Sequence, residues 1–336
     1  MATIFLTHSP NALAHYYGDN ALAQLNTLGD VIRNESAREL SHAELIHAAR
    51  DCDIIVSFRV PAIPACVFDQ LPKLIALCRV AVDVRNIDVA AASRNGVLVT
   101  RASPGFGASV AEWIIGAMIN ISRNISIASA EYWAGKTPAA RMGQELRGAT
   151  LGVIGYGTIG QYACRLALAF GMKVQVYDPY AAITEPDIAK ASFDSLLRTS
   201  DYVVCLAPAT PETAHLINWQ ALTKMKRSAF FINASRGELV DENALLRALN
   251  DERIAGCALD VGSAADQTPS PFLASHPKVV ASPHTAGLTP QASEHQAMDS
   301  VNQVQAILTG HIPPGALNAE HAKRLERLRL QLDSVS

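Results

Sequence analysis

The chain has 336 residues, 49% of them apolar, and a formal charge of −3 from 28 basic and 31 acidic residues. That length allows two ordinary domains with separate cores, and the balanced charge excludes the basic excess that nucleic acid or an anionic membrane surface selects. No apolar run reaches a membrane span, the opening "MATIFLTHSP" lacks the basic region of an export signal, and the ten histidines and six cysteines fall in no metal or paired spacing. The expectation is therefore a cytoplasmic, small-molecule protein with no metal, no nucleic-acid or membrane partner, and reduced cysteines in its core.

Short strand-like runs alternate with helical patterns almost from end to end, the signature of an α/β protein with parallel sheets. In the first hundred residues the strand candidates are "TIFLT", "DIIVSF", "LIALCRV" and "GVLVT". A helix opens at "SHAE", where Ser41 and Glu44 have capping-box spacing. The stretch "SVAEWIIGAMINIS" from Ser109 predicts a long buried helix between two domains.

A new unit starts at "TLGVIGYGTIG", residues 150–160. Leu151 to Ile154 form a buried strand, Gly155, Gly157 and Gly160 follow at GxGxxG spacing, and a helix runs from Ile159 to Phe170. The first glycine suits a tight turn, the second lets backbone approach a pyrophosphate, and the third lets helix pack closely on strand. The helix N-terminus then turns its unpaired N–H groups to the phosphates. The next strand, "KVQVYD", ends in Asp178, 18 residues past Gly160. A carboxylate there accepts from the adenosine ribose hydroxyls and repels a 2′-phosphate, and "DPYAA" offers no arginine to receive one, so NAD is expected over NADP. The alternative is an aspartate that only begins an Asp-Pro turn.

From here the chain resembles the D-isomer-specific 2-hydroxyacid dehydrogenases, the family of phosphoglycerate, glycerate, lactate and formate dehydrogenases. The resemblance rests on "RNIDVAAASRNGVLVT", "SVAEW", "ELRGATLGVIGYGTIG", "SDYVVCLAPATPET", "FFINASRGELVDENALLRAL", "IAGCALDV" and "SPHTAGLT", in that order over nearly the whole length. It implies a Rossmann-type NAD-binding domain at 102–288 inserted into a flavodoxin-like substrate domain built from 1–101 and 289–336, with the pattern "AMDSVNQVQAIL" returning to the first domain. It also implies a homodimer formed through "EYWAGKTPAARMGQELRG", with Trp133 as an anchor.

The residues that the resemblance assigns to the cofactor are Gly155, Tyr156, Gly157, Thr158, Ile159, Gly160, Asp178, Ala207, Pro208, Thr213, Ala234, Ser235, Asp260, Ala286 and Gly287. Arg236, just after an apolar strand, would hold a 2-oxo acid through its forked donors, or else pair with Asp241 or Glu238. His284 is the implied proton donor and acceptor, for which an imidazole titrating near neutrality is suited. Substrate contacts fall to Arg59, Ala81 and Val82 together with Arg236; for Arg59 a solvated surface arginine is the alternative.

Three departures stand out. The family's glutamate partner for the histidine is replaced by Ala265, inside "GSAADQTPSP", and Asp266 substitutes only if this loop slips by one residue. The GxG-like turn that offers backbone N–H groups to the substrate carboxylate has become "VAVD", with Ala81 and Asp83 and an added negative charge. Ala207 stands where a histidine is common. The expected activity is NAD-dependent interconversion of a small 2-hydroxy acid and its 2-oxo acid. An NAD(H)-sensing binding protein and an oxidoreductase for a different acid-like substrate stay open.

Overall fold

The computed structural model describes residues 2–264 and 266–326, so Ala265 lies outside the described residues. The chain divides into two compact units, one holding the chain up to Gly105 together with the chain from Thr289, the other Phe106–Leu288.

The first unit carries a five-stranded parallel sheet made of β1 (Ala2–Leu6), β2 (Gly29–Arg33), β3 (Ile54–Ser57), β4 (Ala76–Arg79) and β5 (Leu98–Arg101), in the order β2-β1-β3-β4-β5. The four expected strands are present. The fifth, β2, was hidden because only its first residue is buried, so this edge strand shows neither a continuous apolar run nor a clean alternation. Helices cover both faces. On one side Leu25, Val56, Ala297, Val301 and Val304 share a core; on the other Phe5, Leu45, Ile55, Phe68 and Leu77 do. The helix Pro290–Leu308 belongs to this unit, packing on β4 and on the helix Asp19–Leu28. The capping box at Ser41 forms, with the Ser41 N–H donating to Glu44 Oε2 at 2.8 Å.

The second unit has seven parallel strands: β6 (Thr150–Ile154), β7 (Lys173–Tyr177), β8 (Ile188–Lys190), β9 (Tyr202–Cys205), β10 (Phe230–Asn233), β11 (Gly256–Leu259) and β12 (Val279–Ala281). Their order is β12-β11-β10-β9-β6-β7-β8, the doubly wound arrangement that reverses direction between β6 and β9. The helix expected from Ser109 spans Gly107–Arg123 and buries Val110, Ile114 and Met118 in this unit's core, against the helix Thr158–Ala169.

Five of the six cysteines are buried, but Cys66 is exposed, because the short helix Ala65–Gln70 turns Val67 and Phe68 inward and Cys66 to solvent. Burial pushes the Cys78, Cys164 and Cys205 thiols up to about 12. No helix among the described residues is long and apolar enough to cross a membrane, and no group of three metal-binding side chains occurs among them.

Candidate active site

In open α/β sheets ligands gather outside the carboxyl ends of the strands, where the strand order reverses. The turn after β6 lies there. Gly155 has a φ of 99°, and a Cβ on it would stand 2.8 Å from the Ala207 nitrogen. A Cβ on Gly160 would meet the Gly155 carbonyl oxygen at 2.3 Å, so helix and turn touch only because both are glycine. Gly157 differs: nothing lies within 4 Å of its absent Cβ, and no side chain caps the helix that starts at Thr158. Open space before free helix N–H groups is a cradle that fits a pyrophosphate. Tyr156, Thr158 and Ile159 complete this turn and first helical turn, with Tyr156 buried and Ile159 packed on the core.

Asp178 both begins the Asp-Pro turn and binds the glycine-rich turn. Its Oδ1 accepts from the N–H groups of Tyr180 and Ala181 at 2.8 and 2.9 Å, and its Oδ2 from Tyr156 at 2.7 Å. Burial pushes its carboxyl up, but the three backbone donors outweigh this and hold it below the usual range. Oδ2 keeps one lone-pair direction for a further donor.

On the other side of the reversal, Leu206 donates to the Ile154 carbonyl at 2.7 Å. Thr213 Oγ1 donates to the Pro208 carbonyl at 2.7 Å, closing the loop that carries Ala207 and Pro208. Ser235 Oγ donates to the Ala207 carbonyl at 2.6 Å, so the turns after β9 and β10 are tied together. Ala234 is buried beneath them.

The turn bearing Arg236 is built by Asn233, a residue that the motif reading passed over. Its buried carboxamide accepts from the Ser235 N–H at 3.1 Å and donates to the Arg236 carbonyl at 2.9 Å. An amide ending an otherwise apolar strand was the signal for it. Arg236 donates through Nη1 to the Ser235 carbonyl at 2.7 Å; among the described residues it forms no ion pair, whether with Asp241, which caps its own helix through the Ala244 N–H, or with Glu238.

His284 lies after β12 with a φ of 56°, a left-handed conformation that costs a non-glycine residue and persists only when the surroundings impose it. Asp260, buried at the end of β11, imposes it. Its carbonyl accepts the His284 N–H at 2.8 Å; its Oδ1 accepts from Ser282 Oγ at 2.6 Å and the Thr285 N–H at 2.8 Å, and its Oδ2 from the Ala286 N–H at 2.9 Å. The small size of Gly287 is needed by Phe106, whose Cβ would stand 3.2 Å from a Cβ there.

The loop 262–270 is folded on itself, Gly262 donating to the Gln267 carbonyl and Gln267 to that of Ala264. Glu242, another residue missed from sequence, pins both ends, accepting from the Ser263 N–H at 2.9 Å and Ser270 Oγ at 2.7 Å. Asp266 is exposed and accepts through Oδ1 from Thr268 Oγ1 and N–H at 2.6 and 3.1 Å. These bonds hold its carboxyl below the usual range, and His284 adds a smaller pull in the same direction.

In the first unit Arg59 is exposed, Ala81 buried and Val82 half-buried, in the loops that follow β3 and β4. The charge of Asp83 does not stand alone: Arg85 forks onto it, with Nε 3.0 Å and Nη2 2.8 Å from Oδ2.

Residues 115–286 match the family model described as the D-isomer specific 2-hydroxyacid dehydrogenase, NAD binding domain. The chain is 33% identical over 308 residues to a D-3-phosphoglycerate dehydrogenase of Methanocaldococcus jannaschii, covering 89% of this chain but only 57% of that longer protein. It is also 33% identical to a glyoxylate reductase of Thermofilum pendens, over 92% of this chain and 95% of that one. Among solved structures, D-2-hydroxyisocaproate dehydrogenase is similar with a TM-score of 0.84 at 25% identity, covering 95% of this chain and all of that one (100%). With half the chain matched by the family model and relatives at this identity along most of its length, the protein belongs to the D-isomer-specific 2-hydroxyacid dehydrogenase family.

Proposed function

We propose that the protein is a cytoplasmic NAD-dependent oxidoreductase that interconverts a small 2-hydroxy acid and its 2-oxo acid. The observation that carries this reading is the arrangement at the carboxyl ends of β10, β11 and β12, three neighbouring strands. They present an Arg236 guanidinium with no carboxylate partner among the described residues, the Asp260 clamp, and a conformationally forced His284. When bound, the nicotinamide supplies hydride acceptance and return at the substrate's C2.

The rest of the chemistry belongs to the chain. Arg236 holds and polarises the 2-oxo acid with planar, permanently charged donors. His284 gives a proton to the carbonyl oxygen on reduction and takes it back on oxidation. Asp266 supplies the negative charge that the absent glutamate would have given. Gly155 to Gly160, Asp178, Ala207, Pro208, Thr213, Ala234, Ser235, Ala286 and Gly287 form the dinucleotide cradle, and Asp178 favours NAD. Arg59, Ala81 and Val82 hold the substrate in the first unit. A homodimer is supported by Tyr132, Trp133 and Met142, large apolar side chains that are 63%, 86% and 98% exposed in the single chain.

The test is turnover of a panel of small 2-oxo acids followed by NADH absorbance, repeated with Arg236→Ala and Arg236→Lys. Arg236→Ala should abolish turnover while NADH still binds, and lysine should rescue poorly because it lacks the fork. Retention of most of kcat/KM by Arg236→Ala would remove the assignment.

A further inference from the structure

The least expected group in the first unit is Arg79, the last residue of β4. Its side chain is fully buried, yet among the described residues it forms no ion pair. Nη1 donates to the Phe58 carbonyl, Nη2 to Asn86 Oδ1 at 2.5 Å, and Nε has no partner among the described residues. Burial and the nearby Arg59 pull its pKa down to about 10 against the opposing influence of Asp83. Asp83 is itself forked by Arg85, and the other carboxylate of the loop after β4, Asp88, caps the next helix by accepting from the Ala91 N–H.

His8, just beyond β1, adds a second anomaly. It is buried between Tyr17 and Phe58, with ring centroids 5.0 and 4.8 Å away, and neither ring nitrogen has a partner among the described residues. Burial first, and Arg79 second, press its pKa to about 3, so it stays neutral. These groups crowd the point where the strand order of this sheet reverses, between β1 and β3, which is where open sheets of this kind take ligands.

A buried cation with no ion-pair partner among the described residues is a large cost that a fold rarely carries without use. Arg79 has a structural use too: with Asn86, whose Nδ2 donates to the Arg59 carbonyl at 2.7 Å, it ties the loop after β3 to the loop after β4. A neutral carboxamide would serve for that tie. The charge needs its own explanation, and the loops in question are those that hold Arg59, Ala81 and Val82.

We propose that Arg79 is a positioning residue whose buried charge makes the "VAVD" turn attractive to the carboxylate of the substrate, taking over from the glycine-rich turn that this chain lacks. This inference rests on the reading that the turn holds a 2-oxo acid. Arg79 fixes the two loops by hydrogen bonds and offers them a positive potential that Asp83 offsets in part, while the neutral His8 beside it adds no charge. The exposed Arg59 guanidinium, with no hydrogen-bond or ion-pair partner among the described residues, gives the anion a direct contact in the same field.

The experiment measures oxamate, an unreactive carboxylate isostere of a 2-oxo acid, binding by calorimetry to the NADH-loaded protein, and KM and kcat for the best substrate. Three variants are compared. Arg79→Met removes charge and tie, Arg79→Lys keeps the charge, and Asn86→Asp leaves the guanidinium in place, neutralises it with a carboxylate against Nη2 and gives up the donor to the Arg59 carbonyl. Asn86→Asp creates an ion pair in the buried cluster and so serves if Arg79→Met does not fold. Arg79→Met and Asn86→Asp should weaken oxamate and raise KM by about tenfold or more with kcat little changed, and Arg79→Lys should recover most of the loss. NADH affinity should not move. Parental oxamate affinity in Asn86→Asp, or failure of Arg79→Lys to recover any affinity, overturns the role of the charge. Should the parent bind neither oxamate nor any 2-oxo acid, the proposed function falls, and the inference falls with it.

Discussion

Asp260 sets the main chain of His284: its carbonyl takes the His284 N–H at 2.8 Å, while its carboxylate takes the N–H groups of Thr285 and Ala286, the next two residues. A carboxylate is needed because every group facing it is a donor. In Asp260→Asn one oxygen becomes an NH2 aimed at an N–H or a hydroxyl, at a cost of about 1–3 kcal/mol for a buried mismatch. The loop should shift, and kcat/KM should fall about 10²-fold, as small misplacements of a reacting group do. A crystal structure and kinetics of the variant check both parts; unchanged kinetics would detach Asp260 from the placement of His284.

Coenzyme preference should follow Asp178. The parent should favour NADH over NADPH by at least about tenfold, because a 2′-phosphate would meet a carboxylate already held ionised. Asp178→Ser should narrow the ratio, read from kcat/KM with each coenzyme. It should also lower the melting temperature, since three backbone donors lose their acceptor.

The pH profile should report Asp266. Its depressed pKa keeps it ionised around neutrality, and a negative charge near His284 favours the imidazolium that reduction consumes. In Asp266→Asn the upper limb of the reductive profile should move to lower pH by about half a unit, a small shift because the carboxylate is exposed and screened. Ala265→Glu should move the limb upward. Reductive profiles that coincide for parent and Asp266→Asn would take the carboxylate out of the chemistry.

Acid stability should follow His8. Its folded-state pKa of about 3 lies below the ordinary value of 6.5, so in that window the unfolded chain binds the extra proton. Its contribution is intact above about 6.5 and is lost as pH falls toward 3, by about 1 kcal/mol per pH unit. Urea unfolding at about pH 7, 6, 5 and 4.5, which samples the upper part of the window, should show a shallower decline for His8→Phe than for the parent. Equal slopes would mean that His8 is not kept neutral by the fold.

The elements that announce themselves in the sequence are those whose requirements are local. Gly155 and Gly160 are demanded by backbone atoms of adjacent segments, and β3, β4, β9 and β10 are short, mainly apolar runs buried throughout. The edge strand β2 was invisible because its pairing with β1, not its own pattern, makes it a strand. Asn233 and Glu242 were missed for a similar reason: an amide and a carboxylate become turn-builders only when the chain brings Ser235, Arg236, Ser263 and Ser270 to them. Asp178 reads in the sequence as a coenzyme residue with a turn former as the alternative, and the turn it makes uses hydrogen bonds that spacing alone does not specify. Nothing in "LCRVAVD" says that Arg79 is buried without a carboxylate, since that depends on loops 20 and more residues away.

The distribution of thiols turns the molecule into its own unfolding reporter. A folded chain offers a bulky maleimide one reactive sulfur, Cys66, so that mass spectrometry should register a single fast adduct. Later adducts mark opening, and their positions tell where it began: Cys52 and Cys78 belong to the first unit, and Cys164, Cys205 and Cys257 to the second. Peptide mapping after timed pulses would rank the two units by their resistance to opening without any dye or introduced label.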